Sequence, residues 1–528
     1  MIRHLVAGFF LATALVAQDD CTLGSLVAPD AEPFDWFGDA VALDGGTVVI
    51  GARFDDDLGL NSGSAYVFVE SGGVWSFEAK LTAADGEEGD FFGDSVAISG
   101  DTIVVGARYE DSGATDAGAA YVFDRAGGVW SQTDKLLAGD ASTDDRLGAR
   151  VDIDGDRVVA ASETNDQGAP DAGAVYVFDR AGGLWSESAK LTSTTPSAND
   201  FLGASVALSG DVVVAGANGN DAAAPDGGSV HVFAFDGTTW SEADVLVAEN
   251  PRESARFGAS VDVEGPTIVV GAPLEDDGVV DSGSVYVYEL VGSTLTFAAK
   301  LRLPFPSLFD EFGSAVALAG SSIIVGVPKD DTQGVNAGRL YQFVSDTGSW
   351  EFHDAVFDGG GGAGDQLGRS VAATNLLLVA GATFDDTAGF DAGQVRTFHH
   401  PGTRRDYGTG LAGSNGIPEL ATQRGCLRNE QMDALDISNG PSSGFGLLVV
   451  GGSEVAVPFA GGFLLVGLLP SGVFLNFPVA TDANGDFSMP FMVTSDFIDR
   501  SLHMQVGFLD AAAPNNVSLS AGLQLAFR

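Results

Sequence analysis

The feature that most constrains this sequence is a repeat of 55 residues. A Phe-Gly or Leu-Gly pair recurs without insertion or deletion, and its glycine stands at Gly38, Gly93, Gly148, Gly203, Gly258, Gly313 and Gly368. A strict period of a few tens of residues is typical of solenoids and propellers, in which each copy is one unit packed against its neighbours. Most of the chain therefore folds as seven equivalent units.

Each copy reads as four short strands. In the second copy, apolar runs cover residues 95–98, 102–105, 120–123 and 130–136, and the turns between them contain Gly100 and Gly127-Gly128. Short β-branched runs bounded by glycine and aspartate indicate strands joined by hairpins. The pattern predicts an antiparallel four-stranded sheet for every copy.

The two ends of the array predict a closed ring. The seventh copy stops after its third strand, near Phe398, whereas residues 22–27 stand where a fourth strand would stand. Leu26 precedes Gly38 by the same 12 residues that separate Leu81 from Gly93. Radial repetition of four-stranded sheets is the β-propeller. We predict an all-β chain with a seven-bladed propeller that the N-terminal strand closes, followed by a small β-sandwich.

The repeat resembles a known family. Residues 92–97, 104–107 and 116–123 are similar to the bacterial FG-GAP repeat, which is related to the propeller of integrin α chains, and the resemblance covers roughly residues 22–400. It implies extracellular adhesion or ligand binding, usually without catalysis. Integrin-like blades often bind calcium in a loop of the form D-x-D-x-D-G-x-x-D between the first two strands. The corresponding turns are shorter here, and even residues 152–156 are interpreted as a turn, so calcium remains only a candidate cofactor.

A second acidic set is more regular. One aspartate occupies the same position in the loop after the second strand of every copy: Asp56, Asp111, Asp166, Asp221, Asp276, Asp331 and Asp386. An Asn or Asp follows five residues later, and another aspartate stands three residues before most anchor glycines, as at Asp35 and Asp90. These loops share one face of the ring, here named the crown face. The carboxylates are interpreted as turn formers, as divalent-ion ligands or as direct ligand contacts.

Charge and composition limit the partners. The chain has 73 acidic and 25 basic residues and a formal charge of -48, which argues against nucleic acid because its phosphates are bound through Lys and Arg. The six His are scattered, and no catalytic residues are predicted. We expect a non-enzymatic, monomeric binding, adhesion or surface-structural protein whose partner is an extracellular protein or glycan. The alternatives are a polysaccharide hydrolase or lyase and a calcium-dependent lectin-like module.

The N-terminus predicts export. Arg3 and His4 precede an apolar run from Leu5 to Val16, and Ala17 ends a plausible cleavage site. We interpret residues 1–17 as a signal peptide, with an uncleaved anchor as the alternative, and expect residues 18–400 to form the propeller in the secreted or cell-surface protein. Once this signal peptide is cleaved, we expect no membrane span in the protein.

The C-terminal region has a different composition. Residues 401–413 indicate a linker, and residues 414–528 carry short apolar runs that predict a β-sandwich. Residues 407–410, 437–440 and 508–514 also resemble a C-terminal β-module of exported bacterial proteins. Such modules often carry a Cys where Leu411 stands, paired near Cys426. Because that partner is absent, the resemblance leaves two alternatives, a disulfide between Cys426 and Cys21 or two free thiols.

Overall fold

The computed structural model describes residues 22–291, 294–345, 349–356 and 361–399, and the strands alone between residues 405 and 527. Cys21–Thr403 and Arg404–Arg528 belong to separate compact units, and each is described by itself. The predicted signal peptide, Cys21, Cys426 and the linker lie outside the described residues, apart from the strand Arg405–Tyr407. Among the described residues, no helix is long and apolar enough to cross a membrane.

The first unit contains seven four-stranded antiparallel sheets, one for each copy of the repeat. Blades 1 to 3 consist of Ala40–Asp44, Thr47–Ala52, Ser64–Ser71 and Val74–Leu81; Phe92–Ser99, Thr102–Ala107, Ala119–Ala126 and Val129–Leu136; Arg150–Asp154, Arg157–Ser162, Ala174–Ala181 and Leu184–Leu191. Blades 4 to 6 consist of Leu202–Ser209, Val212–Ala217, Ser229–Phe235 and Trp240–Leu246; Ser260–Glu264, Thr267–Ala272, Ser284–Val291 and Thr294–Leu301; Ala315–Ala319, Ser322–Val327, Arg339–Ser345 and Trp350–Val356.

Blade 7 confirms the predicted closure. Its first three strands are Val371–Ala373, Leu377–Ala382 and Gln394–His399, and its fourth is the N-terminal strand Thr22–Leu26. Leu26 pairs with Val395 in antiparallel register. The first strands of the seven blades contact one another in a closed cycle, and the first strand of blade 7 contacts that of blade 1. The ring is therefore closed by strands from both ends of the repeat array.

The core lies between adjacent blades. In blade 2 every residue of the second strand, Thr102–Ala107, is buried, as a β-branched strand covered on both faces requires. Val49 of blade 1 and Val105 of blade 2 belong to one buried cluster. The ring of Phe92 packs edge-on against Tyr121 with a centroid distance of 5.5 Å, a favoured aromatic geometry. Each copy thus buries its apolar faces against its two neighbours.

The second unit is described through its strands. They are Arg405–Tyr407, Glu419–Thr422, Met432–Ser438, Phe445–Gly451, Val455–Phe459, Gly462–Val466, Leu475–Ala480, Phe487–Met492, Arg500–Leu509, Val517–Leu519 and Gly522–Phe527. They pair into three antiparallel sheets, and the longest strand, Arg500–Leu509, pairs with three others. All-β character is confirmed here. The packing of these sheets into a sandwich stays a prediction.

Candidate functional site

The seven repeated aspartates of the crown face each hold a loop. In every blade the Oδ1 atom of this residue accepts a hydrogen bond from the backbone N–H five residues later, at 2.6–2.9 Å, and the residue is solvent-exposed. The residue that donates has a left-handed backbone with φ of 47–56°, a conformation that Asn and Asp tolerate best after glycine. The carboxylates therefore have a role in their own loop. A ligand contact at these positions stays a prediction.

The glycine two residues further on fastens the loop to the next blade. Gly118 has φ of 77°, and a Cβ atom there would lie 2.2 Å from the carbonyl oxygen of Leu147. The backbone N–H of Leu147 donates to the carbonyl of Ala117 at 2.7 Å. The six sibling glycines also have positive φ and the same close approach. Only glycine fits, because both the dihedral and the space exclude a side chain.

The aspartates before the anchor glycines form turns, which was one of the three interpretations of the acidic set. Asp35 and Asp90 are only 4% and 5% exposed. The Oδ2 atom of Asp35 accepts a hydrogen bond from the N–H of Glu32 at 2.7 Å. Burial raises the pKa of Asp35 to about 7 and that of Asp90 to about 6. A carboxyl that closes its own buried turn is not available to a partner.

A lysine cluster lies beneath the crown loops. The Nζ atom of Lys80 lies 2.8 Å from an oxygen of Asp30 and 2.9 Å from one of Asp55, and 5.1 Å from the ring centre of Tyr66. The hydroxyl of Tyr66 lies within hydrogen-bond distance of both carboxylates, 2.8 Å from Asp30 and 2.7 Å from Asp55, and its one proton can be donated to either. Blade 2 repeats this arrangement with Lys135, Asp85, Glu110 and Tyr121. In both blades the lysine is thus paired with two acids.

A polar cavity lies where the first strands converge. It has a volume of about 520 Å³ and is lined by the first-strand residues of all seven blades. We call its rim the channel mouth: the two residues after each anchor glycine and the two residues after each second strand. The repeat fixes the backbone at these positions, so side-chain differences among blades decide the chemistry of the channel mouth.

Three arginines surround a buried carboxylate on one side of the channel mouth. The side chain of Asp94 has no exposed surface; Arg53 Nη1 donates to it at 2.6 Å and Arg108 pairs with its other oxygen. Burial alone would raise the pKa of Asp94. The charges of Arg108, Arg150 and Arg53 outweigh burial and hold the pKa below its usual range. Asp94 is therefore ionised and structural at neutral pH.

A second carboxylate links the last blade to the first. Asp39 lies 3.2 Å from Arg53 Nε and accepts a hydrogen bond from Arg369 Nε at 2.8 Å. Asp39 and Arg369 are 330 residues apart in the chain and meet only because the ring closes. In blade 6, Lys329 pairs with Glu311 at 2.6 Å. With Arg150 of blade 3 near Asp94, these charged groups lie in blades 6, 7, 1, 2 and 3.

Aromatic rings follow the same sector. Trp36 contacts Phe54 and Phe384 at centroid distances of 4.5 and 5.0 Å, and the series continues through Phe91 to Tyr109 in steps of 5.0 Å. We call these five residues the aromatic arc. The guanidinium of Arg53 lies 5.1 Å from the ring centre of Trp36 and 5.0 Å from that of Phe54. All five side chains are partly exposed, so the aromatic arc reaches solvent, and it lies against Arg53, which lines the cavity.

The opposite side of the channel mouth has no charges at the same positions. Blades 4 and 5 carry Ala204, Ser205, Asn218, Gly219, Ala259, Ser260, Pro273 and Leu274 there. The backbone is nevertheless equivalent: φ is 55° at Trp36, 56° at Phe201 and 53° at Arg256, which share one position of the repeat. The channel mouth is therefore chemically lopsided on a symmetric scaffold.

The sequence reasoning did not find this site. Its charged residues are spread over five blades and are far apart in the sequence. The available signal was departure from the repeat. Asp94, Arg150 and Arg369 stand at positions where sibling blades mostly carry Ala or Ser.

In the described part of the chain, no group of three or more His, Cys, Asp or Glu residues is arranged to hold a metal ion. Calcium requires six to eight oxygen ligands. The expectation that calcium is a candidate cofactor therefore stays a prediction.

The comparisons with known proteins agree with this fold. A family model described as the FG-GAP repeat matches residues 23–68, 75–123, 130–178, 185–233, 240–288 and 299–343, which together are more than half of the chain. Each match begins on or next to the outer strand of one blade and ends on the third strand of the next. A search of curated proteins finds no match.

Solved structures offer only distant likenesses. A fungal alcohol oxidase of the AA5 family, in complex with copper, has 12% identity and a TM-score of 0.42, with 95% of this chain and 100% of that chain covered. The exo-β-1,3-galactanase of Phanerochaete chrysosporium with β-1,3-galactotriose has 13% identity and a TM-score of 0.31, with 85% and 99% covered. The propeller domain of the Trilobed protease of Pyrococcus furiosus has 10% identity and a TM-score of 0.39, with 66% and 90% covered. None of them bears on function.

Proposed function

Because the chain belongs to the FG-GAP repeat family, we propose that it is an exported, non-enzymatic binding or adhesion protein that recognises a glycan through the crown face. One observation carries this proposal. Arginines and acids gather on one side of the channel mouth, whereas the same positions of blades 4 and 5 carry no charge. Turn-forming residues repeat in every blade, whereas a binding site needs particular side chains in one place.

Binding is favoured over hydrolysis by the state of the carboxylates. A glycoside hydrolase needs one carboxyl with a raised pKa as general acid and a second one as nucleophile or base. At the channel mouth Asp94 has a lowered pKa and is held by arginines, and Asp39 is paired with two. Both groups position guanidinium donors, and Asp94 with its lowered pKa is a poor proton donor.

The test compares two matched variants for binding to a panel of polysaccharides. Trp36→Gln replaces a ring of the aromatic arc with the residue that Gln366 supplies at the same position of blade 7, where the backbone also has positive φ. Phe201→Gln is the control, because it makes the equivalent change in blade 4, whose mouth positions are neutral. We expect Trp36→Gln to weaken binding by about tenfold, the size of one lost aromatic contact, and Phe201→Gln to leave it unchanged.

The same samples test the absence of catalysis. We expect no new reducing ends after prolonged incubation with any polysaccharide of the panel. Release of products would contradict the proposal in favour of a hydrolase or lyase, and equal loss of binding in both variants would remove the channel mouth from recognition.

A further inference from the structure

The cavity at the channel mouth has spare cationic donors. Arg150 and Arg369 both line it, and their side chains are 43% and 38% exposed. The nearest carboxylate oxygen to Arg150 lies 4.0 Å away, and one of its nitrogens donates to the backbone oxygen of Ala149. Arg369 uses Nε for Asp39. A guanidinium has five N–H donors, so both groups keep donors for which the described residues supply no partner.

The cavity wall also offers hydroxyl acceptors. Four serines of the first strands line it, and each donates its proton to the carbonyl of the anchor glycine in the following blade at 2.7–2.8 Å: Ser95, Ser205, Ser260 and Ser370. A hydroxyl that donates in this way still has lone pairs that accept. The wall can therefore bind the hydroxyl groups of a polyol as well as an anion.

The aromatic arc supplies a third element. Arg53 and Arg369 line the cavity, and their guanidinium groups lie 5.1 Å from the ring centre of Trp36 and 5.6 Å from that of Phe384. The rings do not line the cavity themselves; they lie against two of the cations that do. Attraction between a guanidinium and an aromatic face at this distance holds the two arginines in place beside the cavity.

From these three elements we infer that the cavity binds a sugar acid, a pyranose that bears a carboxylate, and this inference rests on the proposed glycan-binding function. The carboxylate pairs with Arg150 and Arg369, since guanidinium groups bind carboxylates through paired N–H donors. The sugar hydroxyls meet the serines, and the aromatic arc holds Arg53 and Arg369 in place. The volume of about 520 Å³ falls within the usual range of about 300–1,000 Å³ for small-ligand pockets.

The charge of the chain makes this site selective. The formal charge of -48 repels anions from the surface in general. Around this cavity, however, Arg53, Arg150, Lys329 and Arg369 face Asp39, Asp94 and Glu311, so cations outnumber carboxylates. At physiological ionic strength charges beyond about 8 Å are largely screened, and the local cations then determine what binds.

The experiment is a ligand-observed NMR titration of the full chain at fixed ionic strength with galacturonate, glucuronate, galactose and glucose. We expect at least one uronate to bind at least about tenfold more tightly than its neutral counterpart, which corresponds to about 1.4 kcal/mol. Acetate and inorganic phosphate serve as anions without a sugar ring and are expected to bind more weakly than that uronate.

Two variants locate the site. Arg150→Ser and Arg369→Ala each introduce the residue that sibling blades carry at that position, as at Ser205 and Ala204, so the fold should accept them. We expect each to weaken uronate binding by about tenfold or more. Arg302→Gln is the matched control, because Arg302 directly follows the outer strand of blade 5, pairs with Asp277 and does not line the cavity.

The outcomes separate this inference from the function on which it rests. Any of three results would overturn the sugar-acid site. Galacturonate could bind no more tightly than galactose, acetate could bind as tightly as the uronate, or both variants could bind the uronate as the parent does. If neutral polysaccharides still bind and Trp36→Gln weakens that binding, the proposed glycan-binding function survives the loss of the sugar-acid site. A trisaccharide of uronate distinguishes the source of the ligand: tighter binding than the monomer supports the end of a polysaccharide, and equal binding supports a free sugar acid.

Discussion

The two halves of the channel mouth share one backbone and differ in chemistry. In blades 7, 1 and 2 the rim carries Arg369, Asp39, Arg53, Asp94 and Arg108, whereas blades 4 and 5 carry alanine, serine, asparagine and proline at the same positions. The left-handed residue before each anchor keeps a φ of 53–58° in all seven blades. The backbone conformation is therefore determined by residues outside the rim, and the side chains of the rim can differ between blades.

The residues that set the backbone are those that do not vary. The glycine of each crown loop lies against the next blade, and the repeated aspartate holds the loop that leads to it. These contacts are satisfied in every blade whatever the rim carries. A comparison of repeated with unrepeated residues should thus separate stability from binding, and the predictions below test that separation, beginning with the largest effect.

The largest effect is expected from the crown-loop glycine of blade 2. Gly118→Ala places a Cβ atom 2.2 Å from the carbonyl oxygen of Leu147 at a φ of 77°, so both strain and overlap oppose it. We expect a loss of more than about 4 kcal/mol in the free energy of unfolding, measured by denaturant unfolding or as a fall in Tm.

Gly127→Ala is the control for this change. Gly127 also has positive φ, 61°, but a Cβ atom there meets nothing within 4 Å. Its cost should be the conformational strain alone, about 1–2 kcal/mol. If the two variants lost the same stability, the close approach between blades would contribute nothing.

The next effect is expected at Asp94, which belongs to the unrepeated set. Asp94→Ala introduces the residue of Ala149 and Ala204 but leaves Arg53 and Arg108 partly buried without their shared carboxylate. Removal of one partner from a buried ion pair costs about 3–5 kcal/mol. We expect a loss in that range, measured by denaturant unfolding.

A double variant shows whether the loss arises from the charges or from the fold. Arg108→Asn introduces the residue that Asn218 supplies at the same position of blade 4. Combined with Asp94→Ala, it removes the guanidinium that has lost its carboxylate partner. Part of the stability lost in Asp94→Ala should therefore return. A double variant that is less stable than Asp94→Ala would contradict the view that the rim can specialise without harm to the blade.

Sequence reasoning reached the fold but not this rim, for a physical reason. The 55-residue spacing and the position of Leu26 were sufficient to predict seven blades and the strand that closes them. Ion pairs such as Arg53 with Asp94 and Asp39 with Arg369 join residues 41 and 330 apart, and such pairs become visible only when the ring is built. A comparison of each blade with its siblings, position by position, would have marked these residues as exceptions.

The third prediction concerns the pH dependence of stability. It involves the buried aspartates that stand three residues before most of the anchor glycines. Burial raises the pKa of Asp35 to about 7 and those of Asp90 and Asp310 to about 6. Since these values lie above the unfolded value, the folded state binds extra protons between about pH 4 and 7. Their contribution to stability is therefore present in acid and is lost as pH rises to about 7.

The lysine-paired aspartates act in the opposite direction at lower pH. The pKa values of Asp30, Asp85 and Asp140 are lowered: burial opposes this, but the hydrogen bonds from their lysines and tyrosines outweigh it. Their stabilisation is lost as pH falls below about 4. We expect Tm to be higher at pH 5 than at pH 7.5, by on the order of 5 °C.

Asp90→Asn tests the assignment of this pH dependence. The amide oxygen can still accept the hydrogen bond that the N–H of Glu87 donates to Asp90 at 2.8 Å, but it carries no charge. We expect the variant to gain stability at pH 7.5 and to show a smaller Tm difference between the two pH values. An unchanged difference would mean that other groups cause it.

The smallest effect is expected from calcium, and this prediction concerns the repeated aspartates of the crown loops. Asp111 Oδ1 already accepts the N–H of Asp116 at 2.7 Å, so its loop is held without an ion, and calcium needs six to eight oxygens. We expect Tm to change by less than about 2 °C between excess calcium and chelator. Asp111→Asn keeps the accepting oxygen and should match the parent, whereas Asp111→Ala should lose about 1 kcal/mol with the hydrogen bond. A rise of many degrees with calcium, abolished by Asp111→Asn, would instead make the repeated aspartates a metal site, and the division between repeated residues for stability and unrepeated residues for binding would then fail.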